Sequence, residues 1–238
     1  MIKLCFDYGH GGTDPGAVYN GRKEAADVLS LGREVAEEIR RHGINVDETR
    51  TADVTVGLTQ RSAFANQQNY NYFISFHRNA FKPETGTGAE TYTYMNASEK
   101  TISLATKIQK ALVEAGFKDR GVKTGNFHVL RKTKAPAVLI EIGFIDNSQD
   151  NVLFDIHKKA IVTGISKAIL SHLGIKYIEE TECEKDDLTE ALDLLISKGI
   201  INSPDYWQKN ARSGKVVKGE YAGLLIERMA EYISPQKS

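Results

Sequence analysis

The chain has 238 residues, 41% of them apolar and 26% charged, a length that fits one large α/β domain or a typical domain with an appendage. Its 31 Lys and Arg balance 31 Asp and Glu, so no strong field favours nucleic acid, and no apolar run is long enough to span a bilayer. Two cysteines, Cys5 and Cys183, are too few for a thiolate zinc site or a disulfide framework, and Cys5 reads as a core residue.

The opening run MIKLCFDYGHGGTDPGA does not resemble a signal peptide, which leads to an expectation of synthesis in the cytoplasm and no membrane insertion. It starts as a strand, with Ile2, Leu4 and Phe6 alternating with polar neighbours, and breaks at its glycines and Pro15. The break leaves His10 at a strand end, where a ligand can reach it. A helix is predicted from Glu24 to about Arg41, with Ala25, Val28, Leu29, Leu31, Val35, Ala36 and Ile39 on one stripe and Gly43 as its stop. Residues 44–49 read as a strand, 58–66 as a helix, and YFISF at 72–76 as a buried strand ending at His77. GAETYTY at 88–94 alternates as a strand should. Ser98 is placed to cap a helix through Ala115 that turns Ile102, Ala105, Ile108 and Leu112 inward. PAVLIEIGF at 136–144 has the continuous apolar character of a strand covered on both faces, and a helix follows from about His157 to His172. Such alternation implies an α/β fold with a mixed, mostly parallel sheet flanked by helices, in which one strand runs antiparallel.

IEETECEKDD at 178–187 interrupts the pattern as a solvated acidic linker. After it, Leu188, Ala191, Leu192, Leu195 and Ile196 form a stripe ended by Gly199, and Ser203 with Pro204 opens a second helix. Residues 219–233 supply a third, with Ala222, Leu225, Ile226, Met229 and Ile233 on one side. The expected organisation is a main domain over 1–175, a linker over 176–187 and a small helical module over 188–238.

Four residues fall where ligands bind open α/β sheets, beyond strand ends. His10 follows the first strand, Glu24 starts the first helix, His77 ends the YFISF strand, and Glu141 sits late in PAVLIEIGF. A carboxylate amid Val138, Leu139, Ile140 and Ile142 is costly to bury unless paired, protonated or engaged with a metal. Two imidazoles and one carboxylate with an open fourth position is the usual donor set of a hydrolytic zinc site, which still needs a protein group to move protons. His10, Glu24 and His77 are therefore candidate metal ligands and Glu141 the candidate acid/base.

FDYGHGGTDPGA, Glu24, LTQRSAFAN at 58–66, FISFHRNAF at 73–81, GAETYTY and FHVLRKTKAPAVLIEIGFIDN at 127–147 together resemble the successive motifs of the zinc-dependent N-acetylmuramoyl-L-alanine amidases of the amidase-3 type, found in bacterial autolysins and phage endolysins. The resemblance covers roughly residues 1–174. It implies a mixed sheet of about six strands, one catalytic zinc ion held by His10, Glu24 and His77, and Glu141 as catalytic glutamate. The implied reaction is hydrolysis of the amide between N-acetylmuramic acid and L-alanine, with peptidoglycan as partner and the cell wall as the place of action after release. Two other readings use the same residues: a peptidoglycan-binding protein without turnover, and a zinc amidase or peptidase acting on a different amide. An intact Glu141 argues against the first.

Lesser candidates surround these. Asn79, two residues past His77, shares its face on an extended chain, and Arg131 and His128 flank the expected cleft as substrate contacts. Arg61 and Asn66 read as structural ties between helix and strand, while His42, His157 and His172 carry no assigned chemistry. Tyr8 and Arg78 depart from the family's usual residues beside two ligands and are expected to alter cleft shape or charge. The C-terminal segment is more loosely similar to helical pieces appended to phage lysins. Tyr206 and Trp207 there either stack on sugar rings or form the module's core.

Overall fold

The apolar run at 136–144 lies inside the sheet, as a strand without a polar face must. In the computed structural model, which describes residues 2–179, 187–211 and 215–233, the strands are β1 (Lys3–Tyr8), the short hairpin β2 (Val18–Tyr19) and β3 (Arg22–Lys23), β4 (Asn45–Glu48), β5 (Tyr72–Asn79), β6 (Ala89–Thr93), β7 (Asp119–Thr124) and β8 (Ala137–Phe144). Six of them form one sheet in the order β4-β1-β5-β8-β6-β7. The first four in that order run parallel. β6 is antiparallel to β8, and β7 runs parallel to β6, so two strands rather than one oppose the rest.

Helices α1 (Glu24–Arg41), α2 (Leu58–Ala65), α3 (Glu99–Glu114), α4 (His128–Lys132), α5 (Ser148–Ile156) and α6 (Lys158–His172) cover the sheet. α1, α3 and α6 pack on one face, over Leu4, Phe6, Ile74, Val138 and Ile140, and form the larger core. α2 and α4 cover part of the other face, over Cys5, Phe73 and Leu139. At roughly 1.5–3 kcal/mol for each large side chain buried, the first face supplies most of the driving force.

Several sequence expectations need correction. β1 buries Cys5 and Asp7 as well as Leu4 and Phe6, because strands flank it on both sides and helices cover both faces. β5 runs two residues past His77. Ser98 does cap α3, accepting from the Thr101 N–H, but Ile102 is 44% exposed and Leu104 lies inward in its place. β7, DRGVKT, is an edge strand whose polar, half-exposed sequence carries no apolar alternation. The expected last helix stands as α6, beginning after His157, and a further helix that the sequence pattern did not draw, α5, precedes it, with Asn147 capping it through the Asp150 N–H.

The chain divides into the units Met1–Ile178 and Glu179–Ser238. Residues 176–178, placed in the linker by sequence, pack onto α1: the Tyr177 ring lies 4.8 Å from that of His42, whose Nε2 accepts from the Ile178 N–H at 2.9 Å. The remainder of the acidic stretch, with Cys183, falls almost wholly outside the described residues. In the second unit α7 (Asp187–Ser197), α8 (Pro204–Asn210) and α9 (Gly219–Ile233) enclose Leu192, Ile200, Ile201 and Trp207. Trp207 is core, at 7% exposure, and Tyr206 stacks on Tyr221 at 3.9 Å, so sugar-stacking faces are not what this pair offers. Ile226, expected inward, is 69% exposed.

Candidate active site

β1 delivers the chain to the C-terminal edge of the sheet, and the glycines after it shape the loop that carries His10. His10 adopts a left-handed φ of 59°, held by two buried guanidinium groups. Arg50 donates to the carbonyls of Tyr8, Gly9 and Ala25, and Arg61 to those of Tyr8, His10 and Val56 while pairing with Asp7 at 2.8 Å. A Cβ on Gly9 would lie 2.2 Å from the His77 ring, and one on Gly16 would lie 2.6 Å from both Glu24 and His10. Neither position admits a side chain while the three groups stay together.

Glu24 is the first residue of α1, where the helix dipole favours an anion. The preceding loop closes the helix end, with the Glu24 and Ala25 N–H groups donating to the carbonyls of Ala17 and Pro15. The Glu24 carboxylate is buried and spread between two imidazoles. Its Oε1 lies 2.8 Å from His77 Nδ1 and accepts from the Arg78 N–H, and its Oε2 lies 3.1 Å from His10 Nε2 and accepts from the Ala17 N–H. Asp14 Oδ2 takes the other His10 nitrogen, Nδ1, at 2.8 Å.

Ligand atoms of His10, Glu24 and His77 all lie within 4.8 Å of one another. Two imidazole nitrogens and a carboxylate suit zinc, whereas calcium and magnesium take oxygen ligands. Asp14 stands on His10 where the outer carboxylate of a histidine ligand commonly stands.

The electrostatics follow from this crowding. Burial would raise Glu24, but the bonds and charges of His10 and His77 outweigh it and hold the carboxylate well below its ordinary range. Burial would lower His10, yet Glu24 and Asp14 raise it to about 9, and Glu24 and Glu141 raise His77 in the same way. Glu141 goes the other way. It stands on β8 directly opposite His77 on β5 and Glu90 on β6, and its Oε2 is buried with no hydrogen-bond partner among the described residues. Burial, reinforced by the Glu24 and Glu90 charges and opposed by His77 and His10, pushes its carboxyl up to about 7.

A cleft of about 320 Å³ opens over these groups, with Val56, Leu58 and Phe127 among its apolar walls and His128 beside them. His128 Nε2 lies 3.4 Å from Ser62 Oγ. The other two candidate substrate contacts are turned to other partners. Asn79 reaches the face that His77 shares with Glu141 and Glu90, where its side chain donates to Glu90, past a register shift in the pairing with β8. Arg131 donates to Asn126.

Arg61 ties α2 to β1, while Asn66 bonds the Lys132 carbonyl and the Lys134 N–H beyond α4 instead of a strand. Tyr8 and Arg78 do not line the cleft. Tyr8 is buried under α1, bonded to the Gly32 carbonyl and Glu48, and Arg78 is buried against Asp27, Asn151 and the Phe154 ring. Sequence reasoning passed over Asp14 and Glu90. The signal for the first was a carboxylate four residues past His10, and for the second a charge in the inward phase of an alternating strand.

The profile of the N-acetylmuramoyl-L-alanine amidase family, amidase-3 type, matches residues 4–171. The chain is 40% identical over 153 residues to the N-acetylmuramoyl-L-alanine amidase CwlM of Bacillus licheniformis, covering 63% of this chain and 59% of that protein. It is 37% identical over 186 residues to the endolysin of Bacillus phage SPP1, covering 74% and 68%. Among solved structures, the catalytic domain of the N-acetylmuramoyl-L-alanine amidase CwlV from Bacillus (Paenibacillus) polymyxa var. colistinus superposes with a TM-score of 0.69 at 32% identity, over 74% of this chain and 100% of that one. The match to CwlM thus spans about three fifths of that relative's length. With the motifs, the sheet order and the clustered donors all lying inside the matched region, the chain belongs to the amidase-3 family of N-acetylmuramoyl-L-alanine amidases.

Proposed function

We propose that this chain hydrolyses the amide joining the lactyl group of N-acetylmuramic acid to L-alanine in peptidoglycan, with one zinc ion held by His10, Glu24 and His77. One juxtaposition carries the reading. Three donor groups suited to zinc converge, and on the neighbouring strand an unpartnered carboxylate oxygen is buried beside them.

Zinc in that cluster supplies a Lewis acid that polarises the scissile carbonyl and acidifies water. Glu141 takes the proton of the attacking water and returns it to the departing L-alanine amine, and burial, which raises its carboxyl above the usual range, favours holding that proton between the two steps. Asp14 keeps Nε2 of His10 turned to the cluster by engaging Nδ1. The Val56, Leu58 and Phe127 wall gives the lactyl and alanine methyl groups apolar surface to cover, and His128 contacts substrate at the same wall. The place of action is the bacterial cell wall. Among the described residues no helix is long and apolar enough to cross a membrane.

The test is mass spectrometry of fragments released from purified peptidoglycan by the zinc-loaded chain, beside a chelated control. Stem peptides with free L-alanine amino ends and intact glycan strands are expected, and none after chelation. Cleavage within the peptide would mean that the site cuts a different amide, and binding without release would favour a wall-binding protein.

A further inference from the structure

Beyond Glu141, on the same face of the sheet, lies a second charged cluster that the proposed chemistry does not use. Glu90 faces Glu141 across the β6–β8 pair, and Tyr92, two residues on, faces Leu139 of the cleft. Glu90 is buried with both oxygens engaged. Asn79 and the Tyr92 hydroxyl donate to Oε1, and Arg120 and Lys123 of the edge strand β7 donate to Oε2. One carboxylate thus meets two cations. The surplus positive charge is accessible, since the Arg120 and Lys123 side chains are 33% and 39% exposed. The Tyr92 ring packs edge-on against Phe127, 5.0 Å away, which joins this shelf to the cleft wall.

The opposite end of the cleft is mixed in sign, with the guanidinium groups of Arg50 and Arg61 buried beneath the loop that carries His10. There Asp14 and Asp53 are exposed, on the loops that follow β1 and β4. An acidic ligand crossing the edge of the sheet meets accessible cations at the β7 end, whereas at the β1 end the exposed groups are carboxylates and the cations are buried.

We infer that Arg120 and Lys123 form a subsite for a carboxylate on the peptide side of the scissile bond, so that the stem peptide runs over β6 and β7 and the uncharged glycan lies towards β1. Spacing sets which residue of the peptide it reads. Neighbouring strands stand about 4.8 Å apart, so β7 lies about 10 Å from Glu141, and an extended peptide advances about 3.4 Å per residue. The carboxylate belongs to the second or third residue of the stem. This inference rests on the amidase reading and names the substrate form it prefers.

The experiment compares N-acetylmuramoyl tripeptides beginning with L-alanine whose second and third residues carry free carboxylates or the corresponding primary amides. The zinc-loaded chain is expected to show a kcat/KM about three- to tenfold higher for the acidic form, carried mainly by KM and reduced in high salt. Replacing both cations (Arg120→Gln with Lys123→Gln) should bring that ratio close to one, and Lys123→Arg alone should keep it. Equal rates for the two forms, or a preference undiminished in the double variant, would overturn the subsite. The salt dependence needs no variant, so a poorly folded mutant leaves a decisive result. Calorimetric binding of the same tripeptides to Glu141→Gln separates the two claims. Failure to cleave either tripeptide would remove the amidase reading, while equal affinity for acid and amide would remove the subsite whatever the cleavage result.

Discussion

Gly9 does its work by having no side chain: a methyl group there would stand 2.2 Å from Cε1 of His77 and force that ring out of the cluster. Gly9→Ala should therefore weaken zinc binding at least about tenfold, the equivalent of one pKa unit of interaction energy, as read by competition with a chelating dye. Unchanged affinity would show that His77 has room the geometry denies it. Arg61 acts through a buried pair. Arg61→Met leaves Asp7 unpaired in the core and should cost about 3–5 kcal/mol in denaturant unfolding. Glu90 gives a pH dependence with a definite sign. Burial would raise its carboxyl, but the bonds from Lys123, Arg120 and Tyr92 outweigh burial and hold it below the usual carboxylate range. The folded chain then binds that proton less readily than the unfolded one. Its contribution to stability is complete above the unfolded value of about 4.3 and is lost as pH falls through the depressed folded value. Glu90→Gln should flatten the acid limb of stability against pH between about 5 and 3, and an unaltered limb would mean that this carboxylate is not a source of acid sensitivity.

At the scale of elements, legibility followed burial. β8 could be read because a strand sealed on both faces has no choice but continuous apolar residues, and α1 because its stripe faces one sheet. β7 was missed because an edge strand pairs on one side and stays half wet, so DRGVKT needs no pattern. α3 was read in the right place but turned slightly, since Ile102 and Leu104 both fit a stripe whose edge the sequence does not draw. The consequence is a contrast within one fold: Ile140→Ala, at the centre of the main core, should cost about 2–5 kcal/mol. Ile102→Ala on the exposed side of α3 should change stability by less than about 0.5 kcal/mol. Comparable losses at both positions in denaturant titrations would contradict the face assigned to α3.

At the scale of the molecule, the site is a product of topology. His10, Glu24, His77 and Glu141 come from four separate segments, and only the parallel arrangement of β1, β5 and β8 brings those strand ends side by side with the start of α1. That much was readable, because strand ends in such sheets share an edge and these four residues stood at or near the ends of their elements. What surrounds them was not. Asp14 reaches His10 through a glycine loop, and Glu90 reaches Asn79 across a register shift, and neither path has a local signature. The proposed site divides its labour, with three residues to hold zinc and a fourth to move the proton. The most direct test measures zinc content and turnover together on Glu141→Gln, with His77→Ala alongside. Glu141→Gln should bind one zinc ion per chain as the parent does and lose at least about a hundredfold in amide hydrolysis, the lower range of a general acid/base contribution, while His77→Ala loses metal and activity together. Turnover preserved in Glu141→Gln, or zinc retained in His77→Ala, would contradict it.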